Sequence, residues 1–478
     1  MKCTDFDNPI LSVWVERYWR RLSSKPYLSG AIEARILLDK LTVKKEPLFK
    51  VTKGGLQGIF NGPRFARVYV DDPDYGVPFL GSTDILAADL SSLPFLSRKL
   101  VGFYPELLIQ EGWTLITCSG TIGRMTYSRS DMVGMAGSQH FMRVVPDPDK
   151  ILPGYLYAYL SSKFGRPLVK EGTYGQIVQH IEPQHIADLP VPRLGKDVEE
   201  TAHHKITRAA TLRSEYQAQV KEATDLLFRA VGLEDFTAIG WHKMGPDTGF
   251  SHSLKSSESL RALNFNPRLQ ICLSQLSQTN HMLLGDICDG GKLRSGLRFK
   301  RIDCDPDFGV RLIGQRELFY MEPEGRWIAA RYAPDDIFVS DETVLIAAQG
   351  TLGEHEVFCR AELITGMWLQ QAYSQHFIRV QSGDASISGA FLFAFLRSEM
   401  VFRCLRSMSI GGKQQDLHRG MLSRLPVPLP SESIRTEIEK LVRNAFAKRH
   451  EASRIEKEAI ETVERAIEEG ARWQKSSQ

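Results

Sequence analysis

The residues best suited to chemistry here are cations and amides on glycine-rich loops. Between Lys292 and Arg301 five of ten residues are basic (Lys292, Arg294, Arg298, Lys300, Arg301), none is acidic, and Gly296 interrupts them. An earlier stretch holds Lys53, Arg64 and Arg67 among Gly54, Gly55, Gly58 and Gly62. Flexible backbone carrying cations suits close approach to phosphates and to base edges in a groove; the plain alternative is a solvated surface loop. Two more loops carry amides: Gly172-Thr173-Tyr174-Gly175-Gln176, with Tyr174 and Gln176, and Gly411-Gly412-Lys413-Gln414-Gln415, with Lys413 and Gln414. Glutamine pairs bidentately with adenine, and lysine with guanine or phosphate; an ordinary glycine-rich turn would look the same.

Other candidates read as structural. Gly120-Thr121-Ile122-Gly123 and Gly350-Thr351-Leu352-Gly353 lack the lysine and the spacing of a phosphate-cradling loop, so they read as turns whose glycines take unusual backbone angles. His140 and His376 stand alone in Ser-Gln-His-Phe segments and read as hydrogen-bonded structural histidines. Tyr155 to Leu160 reads as a core helix, and Glu456-Lys457-Glu458 as the solvated face of a long helix. The seven cysteines form no C-x-x-C pair, which fits reduced thiols and disfavours zinc. No catalytic set is found, and neither the amine-gripping segment of amino-methyltransferases nor a Walker loop occurs. The chain is expected not to be an enzyme and to carry no cofactor of its own.

The elements that would position these loops occur twice. Asp72-Pro73-Asp74-Tyr75-Gly76-Val77 returns as Asp305-Pro306-Asp307-Phe308-Gly309-Val310, and Ser138-Gln139-His140-Phe141 as Ser374-Gln375-His376-Phe377. Tyr155 to Leu160 returns as Phe391 to Leu396, and Leu189-Pro190-Val191-Pro192 as Leu425-Pro426-Val427-Pro428, at a constant offset of 236. The apolar runs Trp113 to Cys118 and Thr343 to Ala348 predict buried strands, and Ser138 to Val144 predicts another.

After each Pro-Val-Pro the pattern turns helical. Ala202, Ile206, Ala209, Tyr216, Val220, Ala223, Leu227 and Ala230 step by threes and fours, as do Ile434, Ile438, Leu441, Ala445, Ala452, Ile455, Ala459 and Ala466. That is the seam of a helix packed on a helix. At 1.5 Å per residue the first would reach about 55 Å, long for burial in one small domain, so it reads as a spacer.

The expected class is α+β: two repeated mixed α/β domains, separated and followed by long helices. The expected layout is a helical extension over 1–45 (Trp14, Trp19, Leu37, Leu38), a first domain over 46–195 and a first spacer helix over 196–232. A linker over 233–262, a second domain over 263–430, a second helix over 431–470 and a tail over 471–478 complete it. The charge balance is mild, 60 basic against 57 acidic residues, so any phosphate-binding surface is local. The opening residues lack the basic start and apolar stretch of a secretory signal, and no run is long enough to span a bilayer. A cytoplasmic protein is expected.

The ordered set resembles the specificity subunit of type I restriction-modification enzymes. It comprises an apolar strand into Gly-Thr-(Ile/Leu)-Gly, Ser-Gln-His-Phe, an aromatic helix, a Gly-Gln loop, Leu-Pro-Val-Pro and a long helix, all twice, over about Pro47 to Gly470. The resemblance implies two target-recognition domains, each reading half of a split double-stranded DNA site, with the long helices pairing as an antiparallel coiled coil that acts as a ruler between them. It implies adenine methyltransferase (modification) subunits carrying S-adenosylmethionine, and restriction subunits that translocate and cut DNA with ATP and Mg, as partners. Freely differing loops imply an asymmetric target. A reader from another defence or modification system, or a protein-binding scaffold with incidental basic loops, would share the architecture.

Overall fold

The computed structural model describes Ser12, Glu16 and residues 30–119, 122–171, 180–246, 248–253 and 259–472. The loop with Tyr174 and Gln176, and Trp14, Trp19, Gly120 and Thr121, lie outside the described residues. The chain is a mixture of helices and short strands and divides into two compact units. Unit 1 comprises Met1–Leu86, Leu93–Ser214 and Glu451–Gln478; unit 2 comprises Ala87–Ser92 and Glu215–His450.

The main sheet of unit 1 has the order Ile59–Asn61, Phe141–Val144, Thr114–Thr117, Met125–Tyr127, each neighbour antiparallel. Every residue of Phe141–Val144 and Thr114–Thr117 is buried, as expected of a strand covered on both faces. A second sheet orders Tyr69–Val70, Phe95–Ser97, Gly76–Leu80, Ala136–Gly137, the last pair parallel. Residues 138–140, expected to be strand, form instead the corner between Ala136–Gly137 and Phe141–Val144.

The helix Pro153–Ser161 starts on proline, whose missing N–H costs nothing there. Its aromatics are core, as expected. Tyr155 and Tyr159 are fully buried, and their hydroxyls donate to the carbonyls of Pro192 and Pro190. Ala31–Asp39 buries Ala31, Ala34 and Leu38 in the same core.

In unit 2 the main sheet runs Lys292–Ser295, Phe377–Gln381, Thr343–Ala347, Ala361–Ile364, again antiparallel throughout. Gly325–Ile328, Val310–Ile313 and Ala372–Tyr373 form its smaller sheet, the last pair parallel. The helix Gly389–Leu396 is buried along its whole length and capped by the Ser388 hydroxyl, which accepts from the Phe391 N–H at 3.2 Å. The expected linker holds more structure than its composition announced: Ala238–Lys243 is helical and Trp241 is buried in this unit's core.

Two long helices, Lys196–Ala230 and Glu432–Arg472, each contribute residues to both units. In unit 1 the apolar cluster Ala209, Leu212, Ala452, Ile455 is flanked by a Lys205–Glu458 ion pair at 2.9 Å. Glu456, expected on a solvated face, binds Arg213 and accepts from the Tyr157 hydroxyl. The tyrosine and arginine are inward-facing donors that a charge pattern read along the helix alone does not reveal.

In unit 2, Tyr216 meets Phe446 edge-on at 5.5 Å. Beside them Arg449, fully buried, donates to the Glu362 carboxylate at 3.0 Å, to the Tyr216 hydroxyl at 2.9 Å and to the carbonyls of Tyr320 and Met321. The Trp368 ring lies 4.3 Å from its guanidinium carbon. Burial raises the Glu362 pKa, and Arg449 opposes that shift. Arg449→Ala strands this carboxylate and should destabilise the protein by about 3–5 kcal/mol, read from the denaturant midpoint of unit 2's unfolding. Glu362→Gln, which keeps an acceptor, should cost less.

Candidate nucleic-acid interface

In unit 1 the corner 138–140 ends on His140. Its backbone carbonyl accepts from the Cys118 N–H at 3.1 Å and from the Ser82 hydroxyl at 3.1 Å. Arg67 donates to Gln139 Oε1 at 3.2 Å, leaving the Gln139 amide nitrogen toward His140 Nε2 at 3.2 Å, while His140 Nδ1 meets the Ser119 hydroxyl at 3.0 Å. Because Gln139 Nε2 is a donor, His140 Nε2 accepts and the ring proton sits on Nδ1. The result is a one-way chain of donors, Arg67 to Gln139 to His140 to Ser119. Arg67 also stacks over Phe79, 5.0 Å from the ring centre.

Unit 2 repeats the chain with equivalent residues. Arg301 donates to Gln375 Oε1 at 2.6 Å, Gln375 Nε2 lies 3.3 Å from His376 Nε2, and His376 Nδ1 donates to Gln349 Oε1. Gln349 Nε2 then reaches Asp416 Oδ2 at 3.5 Å. The backbone of Gln349 is held twice by the Gln315 side chain, at 2.6 and 3.0 Å. The hairpin Ser409–Gly411/Gln415–Leu417 pairs with Gln349–Gly350 and carries exposed Lys413 and Gln414 at its tip.

Both histidines are held neutral. Burial, then Arg67, His180 and Arg64, lower the His140 pKa; burial, Arg301 and Arg298 lower that of His376, with Asp416 opposing. With both ring nitrogens engaged, neither imidazole is placed to take a proton from a substrate. The sites offer fixed donors, amides and cations, which suits binding.

Each corner is followed three residues on by a buried arginine, and in unit 1 that arginine holds the corner directly. Arg143 is fully buried and donates to the carbonyls of Gly137, Ser138 and Phe141 at 2.6–3.1 Å; burial lowers its pKa to about 10. A Cβ on Gly62 would lie 3.2 Å from that guanidinium, and one on Gly296 2.6 Å from that of Arg379. Arg379 is 1% exposed and pairs with Asp336 at 3.0 Å.

The candidate cations thus separate. Arg64 and Arg67, and Arg298 and Arg301, stand three residues apart in sequence and converge on the histidine corners. Arg294 is engaged by Asp336 through both terminal guanidinium nitrogens, at 3.0 and 3.2 Å. Lys53 and Lys292 stand at the other end of the central strand: the Lys53 N–H bonds to the Val145 carbonyl, and Lys292 is registered with Gln381. Lys300 is exposed on the same segment as Arg298.

The turn glycines divide as well. Gly123 has φ +77, whereas its counterpart Gly353 is not in the left-handed region; Gly350, at the first position of the second motif, lies in a strand beside the Phe358 side chain, 2.9 Å from where its Cβ would be. At Gly350 glycine is therefore needed for space rather than for a left-handed turn. Among the described residues no group of His, Cys, Asp and Glu could hold a metal ion, and no helix is long and apolar enough to cross a membrane.

Arg64, Arg67, Arg298 and Arg301 at these corners are conspicuous in sequence, whereas Gln139, Gln375, Ser119, Gln349 and Asp416 carry no signal of their own. The available signal was the coincidence of two spacings: Ser-Gln-His-Phe recurs at 236 residues and the arginine pair at 234. Followed by NMR, the His140 and His376 rings should titrate below the ordinary midpoint of about 6.5. A depressed folded-state pKa means that their contribution to stability is complete above the unfolded value and is lost as pH falls through the folded one. A midpoint at or above 6.5 would contradict the neutral chain.

No protein-family model and no curated protein matches the sequence. Among solved structures, the chain is similar to the type I restriction-modification S subunit of M. genitalium, with 13% identity, 90% of this chain and 96% of that chain covered, and a TM-score of 0.35. The HsdS subunit of Thermoanaerobacter tengcongensis aligns at 11% identity over 90% and 96%, with a TM-score of 0.27. A chain from a structural study of assembly and conformational transition in a type I restriction-modification system aligns at 13% over 89% and 97%, with a TM-score of 0.25. At these TM-scores the similarity by itself assigns neither activity nor partner.

Proposed function

We propose that the chain is a non-catalytic DNA sequence-specificity subunit of a type I restriction-modification system. It would read a bipartite, asymmetric double-stranded target in the cytoplasm and direct adenine methyltransferase and restriction subunits to it. The observation that carries this reading is the matched arginine–glutamine–histidine chain, present once in each unit. Guanidinium groups bind phosphate and guanine, and anchored amides address base edges. Neutral, fully bonded imidazoles hold those groups in place without opposing them with a fixed negative charge.

Two similar sites ending in unlike residues suit a target with unlike halves. The two units are read as diverged copies of one target-recognition domain, and the long helices as an antiparallel coiled coil. S-adenosylmethionine, ATP and Mg belong on this reading to the partner subunits.

The test is selection from random duplexes with the purified chain, alone and with its methyltransferase partner. A split preferred sequence is expected, with affinity falling steeply as salt rises. Arg67→Ala, Arg298→Ala and Lys413→Ala should each weaken selective binding by roughly 1–3 kcal/mol where the side chain meets a base, and uniformly across sequences where it meets phosphate. Absence of any preference would sink the reading. In the host, a split adenine-methylation motif should disappear when the gene is deleted.

A further inference from the structure

The two hydrogen-bond chains share their first three members, Arg, Gln and His, and differ at the fourth. The His140 ring ends on the Ser119 hydroxyl, the His376 ring on the Gln349 amide oxygen. These two residues occupy the same step of the sequence, each directly before the Gly-Thr pair and after a buried strand. Both are partly exposed, and so is the corner that each contacts.

We infer that this fourth position, Ser119 in unit 1 and Gln349 in unit 2, determines which base each half-site prefers, and that in unit 2 Gln349 works together with Asp416. The inference rests on the DNA-reading function proposed above.

The chemistry follows from which atoms are already engaged. Gln349 Oε1 is taken by the His376 N–H, so its amide cannot make the two-point contact with adenine that a free glutamine makes. It presents only N–H donors, on a backbone that Gln315 and the Gln415–Leu417 strand both hold. Asp416 is exposed, lies 3.5 Å from that nitrogen and adds an acceptor. A fixed donor beside a fixed acceptor fits a base pair that presents the reverse order at one groove edge, as guanine O6 beside the cytosine amino group does. Ser119 offers a single short hydroxyl, so it reaches less far and imposes less.

The experiment is duplex selection with the full chain and with Gln349→Ser, Asp416→Asn and Ser119→Gln. Gln349→Ser and Asp416→Asn should change the preferred bases in one and the same half-site by about ten-fold or more, leaving the other half unchanged. Ser119→Gln should alter the opposite half. If the wild-type chain selects a split sequence and the variants select it unchanged, the assignment of the fourth position is overturned and the reading function stands. If the wild-type chain selects nothing, the reading function falls and takes this inference with it. Should Gln349→Ser or Ser119→Gln fail to fold by circular dichroism, Asp416→Asn decides, because its side chain is exposed. An unchanged preference in that variant rejects the proposal.

Discussion

The surface of unit 1 depends on a guanidinium that never reaches water. Arg143 ties three carbonyl positions of the 137–141 corner to one planar group. A bend that tight leaves carbonyls pointing away from any sheet partner, and unpaired they would each cost one to several kcal/mol. Met by one rigid fork, they hold Gln139 and His140 where Arg67 and Ser119 can complete the chain. In unit 2 the same buried position is balanced by Asp336, which also engages Arg294. The cation is thus neutralised by a carboxylate in one unit and solvated by backbone in the other.

That difference separates two groups of arginines that look alike in sequence. Arg294 and Arg301 belong to one basic run, yet the first is held by a carboxylate and the second by an amide. A guanidinium satisfied by a carboxylate has little left for a phosphate, because breaking the pair would expose a bare negative charge to the ligand. One bonded to a neutral amide keeps its full charge available. Local charge density therefore overstates the number of cations free to meet an anion, and the carboxylate that subtracts from it here lies 42 residues away in sequence.

Much of the architecture was legible because it rests on periodicity. The buried strands Thr114–Thr117 and Thr343–Ala347, the aromatic helices and both long helices follow from runs of apolar residues, which report burial directly. The site was legible only in part. Its arginines are conspicuous, but Ser119 and Gln349 acquire meaning from contact with a ring 21 and 27 residues further along the chain. Glu456 shows the same limit: helix charge patterns predict solvent, whereas Tyr157, 299 residues away, supplies a buried donor. Trp241 shows it in reverse, since glycines and serines around it read as linker while one large apolar side chain held the segment in a core.

At the hairpin tip Gly412, Lys413 and Gln414 are exposed, whereas Gly411, at φ +100, is confined to glycine and Ser409 and Gln415 are buried. Substitutions at those three positions disturb no core packing, and surface changes of that kind usually alter stability by no more than about 0.5 kcal/mol. A loop so decoupled from folding can drift freely under mutation. A lineage carrying such a protein could therefore sample new side-chain chemistries at this tip while the scaffold that presents them remained intact.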